Sequence, residues 1–279
     1  MLAFVNGTVL PEEEATVSIS DRAFRYGDGL FEAVLIANGT PFRWDSHVAR
    51  LATSARALQM PMAHPSAALR DAAKQLVRSN NLADAILRIQ ISRGEGPRGY
   101  APTGTERPVT LMTVHPAPDR ISPPHWNLTV SSLRVAADNS LGHHKSCSRL
   151  LQVMAAIEAR DRNADESLLL DTDGHITEGG SSNLFWIERG IVCTPPSNAC
   201  GLSGVTRAVV LECCRKLGVA TDERNIRPER LCQAEGVFLT LTSRGVVEAT
   251  MFDGAKLSSS PLTARLQQAV ENLIQAECR

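Results

Sequence analysis

Lys145 stands in Gly-His-His-Lys-Ser-Cys-Ser-Arg-Leu-Leu-Gln-Val, just ahead of a stretch with helical character, and Glu178 follows in Thr-Glu-Gly-Gly-Ser-Ser-Asn-Leu-Phe. An amine can hold an aldehyde as a Schiff base and then move protons; a carboxylate can keep a ring nitrogen protonated so that the ring accepts electrons. Those are the two groups that pyridoxal chemistry asks of a protein. Taken singly neither is telling, since a lysine before a helix is far more often a solvated surface residue and a turn glutamate is ordinary.

A phosphate would need a third feature. Gly201-Leu202-Ser203-Gly204-Val205-Thr206 leads straight into helical periodicity, and the free N–H groups and dipole of a helix N-terminus attract a dianion. The loop from Arg93 to Pro108 is rich in Gly and Pro and carries Arg98 and Tyr100. An arginine and a phenol there can make a forked, charge-assisted clamp on a carboxylate, although on these residues alone a glycine loop with one exposed arginine is the better reading.

The elements that must position these residues are readable in outline. Asn6-Gly7 and Asn38-Gly39 mark turns, the second joining apolar runs at 30–37 and 40–44 into an expected hairpin. With Asp45 as N-cap, Val48, Leu51, Ala55 and Leu58 fall on one helical face, and Arg50 lies off it. A second helix over 66–78 and strands over 85–92 and 109–115 complete a first lobe. Pro116, Pro118, Pro123 and Pro124 then break both helix and sheet. The expected division is therefore a domain of residues 1–117, a linker of 118–125 and a second domain of 126–279. That second domain should hold a strand at 128–134, a helix at 148–162, a meander turning at Asp173-Gly174 and Arg189-Gly190, and a helix after Thr206 whose core side carries Val210, Cys213 or Cys214, and Leu217. Strands at 237–241 and 246–251 and a helix from Pro261 close the chain. Hairpins mixed with separate helices predict an α+β fold rather than a parallel doubly wound sheet.

Several long motifs, in order, resemble the fold type IV pyridoxal-phosphate family, which holds the branched-chain and D-amino-acid transaminases and aminodeoxychorismate lyase. They are Ser20-Asp21-Arg22-Ala23, Tyr26-Gly27-Asp28-Gly29-Leu30-Phe31-Glu32, His47 with Arg50-Leu51 and Ser54-Ala55, the Lys145 segment, Asp165 to Asp171, and Glu178 to Phe185. The resemblance implies a two-domain α+β enzyme with pyridoxal 5'-phosphate between the lobes. It also implies that Lys145 is the Schiff-base lysine, that Glu178 meets the pyridinium nitrogen, and that Arg50, Val205, Thr206 and Thr242 bind the phosphate. Tyr26, Phe31, Arg98, Tyr100 and Ser243 fall where the substrate would be bound. In the family the Arg98 loop reaches the neighbouring subunit's active site, so a homodimer is implied. After Thr242 the chain departs from the Glu-Ile-Thr-Pro-Val type of continuation, reading Ser243-Arg244-Gly245-Val246-Val247-Glu248.

Two reactions share these residues. A transaminase moves the amino group of a small amino acid to a keto acid, whereas the lyase expels pyruvate from aminodeoxychorismate. Arg98-Gly99-Tyr100 and the run from Lys145 to Val153 resemble the lyases; Glu32, taken as part of the wall facing the substrate, favours a transaminase. A non-catalytic binding protein on the same scaffold is a third reading, opposed by the joint presence of Lys145, Glu178 and Arg50.

Composition agrees with a small-molecule enzyme. The 279 residues carry a formal net charge of −1 with no basic stripe for nucleic acid and no polybasic segment for a membrane. No apolar run approaches membrane-spanning length, and the N-terminus lacks the marks of a signal peptide, so a cytoplasmic protein is expected. The seven cysteines include no Cys-x-x-Cys pair and no zinc spacing, so they read as reduced thiols and no metal is expected.

Overall fold

Two Asn-Gly pairs shape the first sheet. In the computed structural model, which describes residues 1–104, 106–120, 125–197 and 201–279, Asn6 and Gly7 (φ 48° and 101°) and Asn38 and Gly39 (φ 48° and 71°) all take the left-handed conformation. Asn and Gly tolerate it best, and it suits the twist of a two-residue hairpin. The first joins β1 (Leu2–Val5) to β2 (Thr8–Pro11). After the short α1 (Arg22–Tyr26), the second joins β3 (Gly29–Ala37) to β4 (Thr40–Pro41). The second strand of that hairpin is shorter than expected, because α2 (Trp44–Ala57) begins at once, with Arg43 rather than Asp45 at its N-cap. Asp45 sits in the first turn, where its charge suits the helix dipole and its carboxylate pairs with Arg70. Next come α3 (Ser66–Ser79), β5 (Ala85–Ser92) and β6 (Val109–Pro116).

The sheet runs β2-β1-β6-β5-β3-β4, antiparallel throughout. One face is closed by α2 and α3, burying Val34, Leu51, Leu76, Leu87, Ile89 and Met112 in one core. Strand alternation sends Phe31, Arg88 and Gln90 to the opposite face.

The second sheet contains β7 (Trp126–Val135), β8 (Glu166–Asp171), β9 (Ile176–Gly179), β10 (Asn183–Glu188), β11 (Ile191–Thr194), β12 (Thr221–Glu223), β13 (Gly236–Leu241), β14 (Gly245–Phe252) and β15 (Ala255–Lys256). Its order is β12-β11-β10-β13-β14-β7-β8-β9, with β15 on β14; β7 runs parallel to β14 and β8, and the expected meander is instead two separate antiparallel hairpins, β8–β9 at one edge and β10–β11 towards the other. Four helices accompany it: α4 (Leu150–Asp161), α5 (Val205–Lys216), α6 (Pro228–Leu231) and α7 (Pro261–Glu277). Both Cys213 and Cys214 are buried on α5, whereas Leu217, expected in the core, is exposed beyond the last turn. The α+β class read from the sequence is the class observed.

The chain divides into two compact units less simply than one cut at the prolines would have it. Met1–Pro118, His144–Arg149 and Ile274–Arg279 form one; Asp119–His143 and Leu150–Leu273 form the other. Residues 144–149 join the first unit because they extend its strand pairing: the Phe31 N–H donates to Lys145 O (2.9 Å) and the Cys147 N–H to Gly29 O (2.8 Å). The C-terminus joins it through Asn38, whose side-chain amide donates to Cys278 O at 3.0 Å. Part of the expected linker, residues 121–124, lies outside the described residues.

Gly94 opens the long loop after β5 with φ +98°, and a Cβ there would come within 1.9 Å of Arg107 O. Backbone strain and overpacking each cost about 1–3 kcal/mol. Gly94→Ala is expected to lower the melting temperature in scanning calorimetry well beyond Gly104→Ala, where φ is +80° but the space is open. Equal shifts for the two variants would mean that the loop accommodates the methyl group freely.

Candidate active site

In the first unit the site is built on the face of the sheet that α2 and α3 leave open. Pairing with β3 sets the Lys145 backbone beside Phe31, and its Nζ lies 4.7 Å from the centre of the Phe31 ring. Two more cations meet the same ring, with Arg88 Cζ at 4.0 Å and Arg149 Cζ at 5.5 Å from its centre. Arg149 also braces the segment, donating to Ser146 O (2.9 Å) and His144 O (3.0 Å). His144 reaches α2 through Nδ1 and the Ser54 hydroxyl, 3.1 Å apart. An apolar floor ringed by positive charge favours an anion with a planar or aliphatic body. Cys147, two residues on from Lys145, favours the thiol form: burial, partly offset by Arg88 and Arg149, pushes it up to about 11.

Glu32 points the other way. It was expected on the substrate wall, but as Phe31's neighbour on a strand it faces the helices and is 1% exposed. Its carboxylate takes two hydrogen bonds from Arg50, Nε to Oε1 and Nη2 to Oε2, each 2.7 Å, and a third from His47 Nδ1 at 2.8 Å. Burial alone would raise its pKa, yet the bonds from Arg50 and His47 outweigh burial and hold it below the usual carboxylate range. His47 is shifted down because burial outweighs the attraction of Glu32, with Arg50 and Lys145 adding repulsion. It is therefore neutral and donates from Nδ1.

Arg98 and Tyr100 lie exposed on the long loop. The Tyr26 hydroxyl accepts the Gly99 N–H at 3.1 Å, and the Tyr26 and Tyr100 rings meet edge to face with centres 5.5 Å apart.

In the second unit, Glu178 ends β9 and its Oε2 accepts the Leu202 N–H at 2.8 Å. Asn183 holds the same loop from its amide to Leu202 O, also at 2.8 Å. Gly204 is the N-cap of α5 and supplies no side-chain cap, so Val205 and Thr206 begin the helix at an uncapped end. A Cβ on Gly204 would strike Asn183 Oδ1 at 1.9 Å, and one on Gly201 would approach Glu178 Oε2 at 3.3 Å. The glycines thus let backbone, helix end and carboxylate crowd together. Thr242 and Ser243 follow β13, and Thr240 pairs with Asn183, so the Thr242 turn lies on from the strand position next to that same asparagine.

Sequence reasoning overlooked Arg88, the burial of Glu32, and Glu166. The Glu166 carboxylate is buried and accepts the Gly180 and Ser181 N–H groups (3.1 Å each) and the Ser181 and Ser182 hydroxyls (2.7 and 3.1 Å). It thereby fixes the turn that follows Glu178. Its only sequence signal was its place in the motif from Asp165 to Asp171.

The first unit carries a lysine over an aromatic floor on its antiparallel sheet, and the second presents a carboxylate beside an uncapped helix end. The family model for amino-transferase class IV matches residues 29–252. The chain is 31% identical to a D-alanine aminotransferase of Bacillus licheniformis, over 99% of this chain and 98% of that protein. A branched-chain amino acid aminotransferase of Escherichia coli superposes with a TM-score of 0.93 at 27% identity, covering 100% of this chain and 96% of that one; another enzyme of that name, solved with pyridoxamine 5'-phosphate, superposes equally well. A Legionella pneumophila structure described as a 4-amino-4-deoxychorismate lyase superposes with a TM-score of 0.87 at 26% identity, over 94% and 96% of the two chains. This chain belongs to the class IV aminotransferases, and its cofactor is pyridoxal 5'-phosphate. The donors of each unit suit part of that group: the first offers an amine, and the second a carboxylate oriented by a backbone N–H and an uncapped helix end in a glycine cradle.

The buried Glu32–His47–Arg50 cluster makes folding pH-dependent. A histidine whose folded pKa is depressed stays neutral while the unfolded chain protonates near 6.5, so its contribution to stability falls as pH drops below that value. Glu32, with its folded pKa also depressed, contributes above the unfolded carboxylate range near 4.3 and is lost only as pH falls through its folded pKa. His47→Asn, which keeps a donor for Glu32 without a titrating ring, is expected to flatten the loss of melting temperature between pH 7.5 and 5.5. Parallel curves for variant and wild type would remove His47 from the account.

Proposed function

We propose that this enzyme transfers the amino group of a small α-amino acid to a keto acid, with Lys145 as its catalytic amine. Pyridoxal phosphate supplies the aldehyde that captures the substrate amine and the ring that accepts the electron pair left when the α-proton departs. Lys145 Nζ would hold the cofactor between turnovers and, once released by substrate, would serve as the base that takes the proton from the substrate Cα and as the acid that returns it. Glu178 accepts a hydrogen bond from the ring nitrogen and keeps it protonated. Arg50 and the N–H groups at the start of α5, at Val205 and Thr206, bind the phosphate with the Thr242 hydroxyl. Phe31 forms the apolar floor, Arg98 and Tyr100 receive the substrate carboxylate, and Tyr26 and Ser243 stand at the rim.

The observation that carries this reading is the gathering of Lys145, Arg88 and Arg149 on one Phe31 ring within 5.5 Å. A reactive amine set among cations over an apolar surface suits an anionic substrate with a short side chain. The alternative, pyruvate elimination from aminodeoxychorismate, is favoured by Arg149 in the segment after Lys145 and by Arg98-Gly99-Tyr100. Glu32 no longer argues against it, since its carboxylate is committed to Arg50.

The working unit is proposed to be a homodimer whose Arg98 loop serves the neighbouring subunit's site. Leu150, Val153 and Met154 are 72%, 51% and 42% exposed at i, i+3 and i+4 on α4, and Ile19 and Phe24 are exposed near α1. Such apolar stripes mark surfaces that a partner covers. A cytoplasmic setting is proposed with the homodimer; the described cysteines form no disulfide with one another. Among the described residues no helix is long and apolar enough to cross a membrane.

Incubating the yellow holoenzyme with D- and L-amino acids and with aminodeoxychorismate, while following conversion to the pyridoxamine form and release of pyruvate, separates the readings. Amino acids should convert the cofactor; pyruvate release from aminodeoxychorismate alone would make the enzyme a lyase. Lys145→Ala is expected to lower turnover by about 10³-fold or more in a folded protein, and wild-type rates in that variant would defeat the assignment. Glu178→Gln should reduce kcat by a larger factor than it weakens cofactor retention, because the phosphate contacts remain. Cofactor loss without a kcat change in the loaded fraction would remove Glu178 from its role.

A further inference from the structure

The long loop is held by a buried cation that the proposed chemistry leaves without a role. Arg22, on α1, has a side chain 2% exposed, and its guanidinium donates three ways: Nε to Asp28 Oδ2 (2.8 Å), Nη1 to Gly99 O (3.0 Å) and Nη2 to Tyr100 O (2.6 Å). Gly99 has φ +114° and lies in a bend of the chain, a conformation that a side chain would strain. Its peptide groups are gripped on both sides, the carbonyl by Arg22 and the N–H by the Tyr26 hydroxyl (3.1 Å). The Tyr26 ring also lies 5.1 Å from the Arg22 guanidinium carbon.

Asp28 carries the grip further. The same Oδ2 accepts Arg93 Nε at 2.8 Å, and Arg93 donates to Gln59 O (3.0 Å) and Leu58 O (2.8 Å) just past the end of α2. Burial would raise the Asp28 pKa, but the hydrogen bonds from Arg93 and Arg22 outweigh it and keep the group ionised. A continuous chain of charge-assisted bonds therefore runs from α2, the helix that carries Arg50, to the peptide between Arg98 and Tyr100. A guanidinium is suited to this because its donors lie in a rigid plane and can serve a carboxylate and two carbonyls at once; an ammonium has no such fork.

We infer that Arg22 is a positioning residue for substrate recognition: it fixes the Gly99 and Tyr100 carbonyls so that the Arg98 and Tyr100 side chains meet the substrate carboxylate, without contacting the substrate itself. The inference rests on the proposed role of Arg98 and goes beyond it by naming what holds Arg98 in place. It separates this residue from a merely structural buried arginine, whose loss would lower stability and kcat without a selective effect on substrate binding.

The test uses holoenzyme carrying Arg22→Lys, Tyr26→Phe or Arg98→Ala, with steady-state kinetics, thermal melting and hydrogen exchange of the peptide spanning 96–104. Arg22→Lys keeps a charge beside Asp28 but loses the fork. It is expected to raise KM for amino and keto acids about tenfold or more, to change kcat far less, and to speed amide exchange at Gly99 and Tyr100. Tyr26→Phe removes the acceptor for the Gly99 N–H, and because Tyr26 itself stands at the rim, amide exchange at Gly99 is its deciding readout: if Arg22→Lys does not fold, faster exchange with a smaller rise in KM supports the clamp and unchanged exchange refutes it. Unchanged KM in a folded Arg22→Lys protein, or a fall in kcat and melting temperature with KM constant, overturns the inference. If Arg98→Ala leaves KM unchanged, the carboxylate reading itself fails and the clamp has no substrate role. If Arg98→Ala raises KM and the other two variants do not, the clamp alone is refuted.

Discussion

A β-strand can show only alternate residues to each face, and at Phe31 and Glu32 that constraint divides the first unit's share of the site in two. Phe31 turns outward and becomes the surface on which Lys145, Arg88 and Arg149 converge. Glu32 turns inward and becomes the anchor of Arg50 and His47. One residue of register thus separates the floor from the anchor that fixes the proposed phosphate ligand. A slip of one place would bury the phenyl ring and drive the carboxylate among the cations. The long, unbroken pairing of β3 with β5, from Gly29–Ser92 to Ile36–Ala85, holds that register.

Buried charge is handled by one rule across both units. Glu32 has Arg50, Asp28 has Arg22 and Arg93, Glu223 has the buried Arg207, and Glu166 has a ring of N–H and hydroxyl donors. Moving an ion out of water costs several kcal/mol, and it is tolerated only where opposite charge and hydrogen bonds fill the remaining valences. The result is rigidity where the chemistry needs it. The Arg98 loop and the turn that follows Glu178 are too irregular to be fixed by backbone pairing alone, so side chains fixed in the interior hold them instead.

The same distinction explains what could be read in advance. Lys145, Glu178, Arg50 and the approach to α5 were legible as candidates because each lies in a contiguous motif, and the hairpins were legible because Asn-Gly turns are local. The α+β class followed from periodicity. Arg88 was not, because an arginine alternating with apolar residues on β5 looks like any solvent-facing strand position until β3 brings Phe31 beneath it. Glu32 was assigned to the wrong face because the strand's phase relative to α2 is set by packing and not by motif. The proline-rich segment could not show that residues 144–149 turn back to pair with β3, since that pairing joins segments far apart in sequence.

The return of that short segment has a chemical consequence. Lys145 belongs by contact to the unit that holds Arg50, while Glu178 and the helix end at Val205 belong to the other. The backbone at Lys145 O, Ser146 and Cys147 N is paired to β3, which roots the lysine side chain beside the Phe31 ring. In the role proposed for Lys145, an amine that carries a proton from one atom to another gains from near-attack placement on a fixed root. Strand pairing gives Lys145 that root.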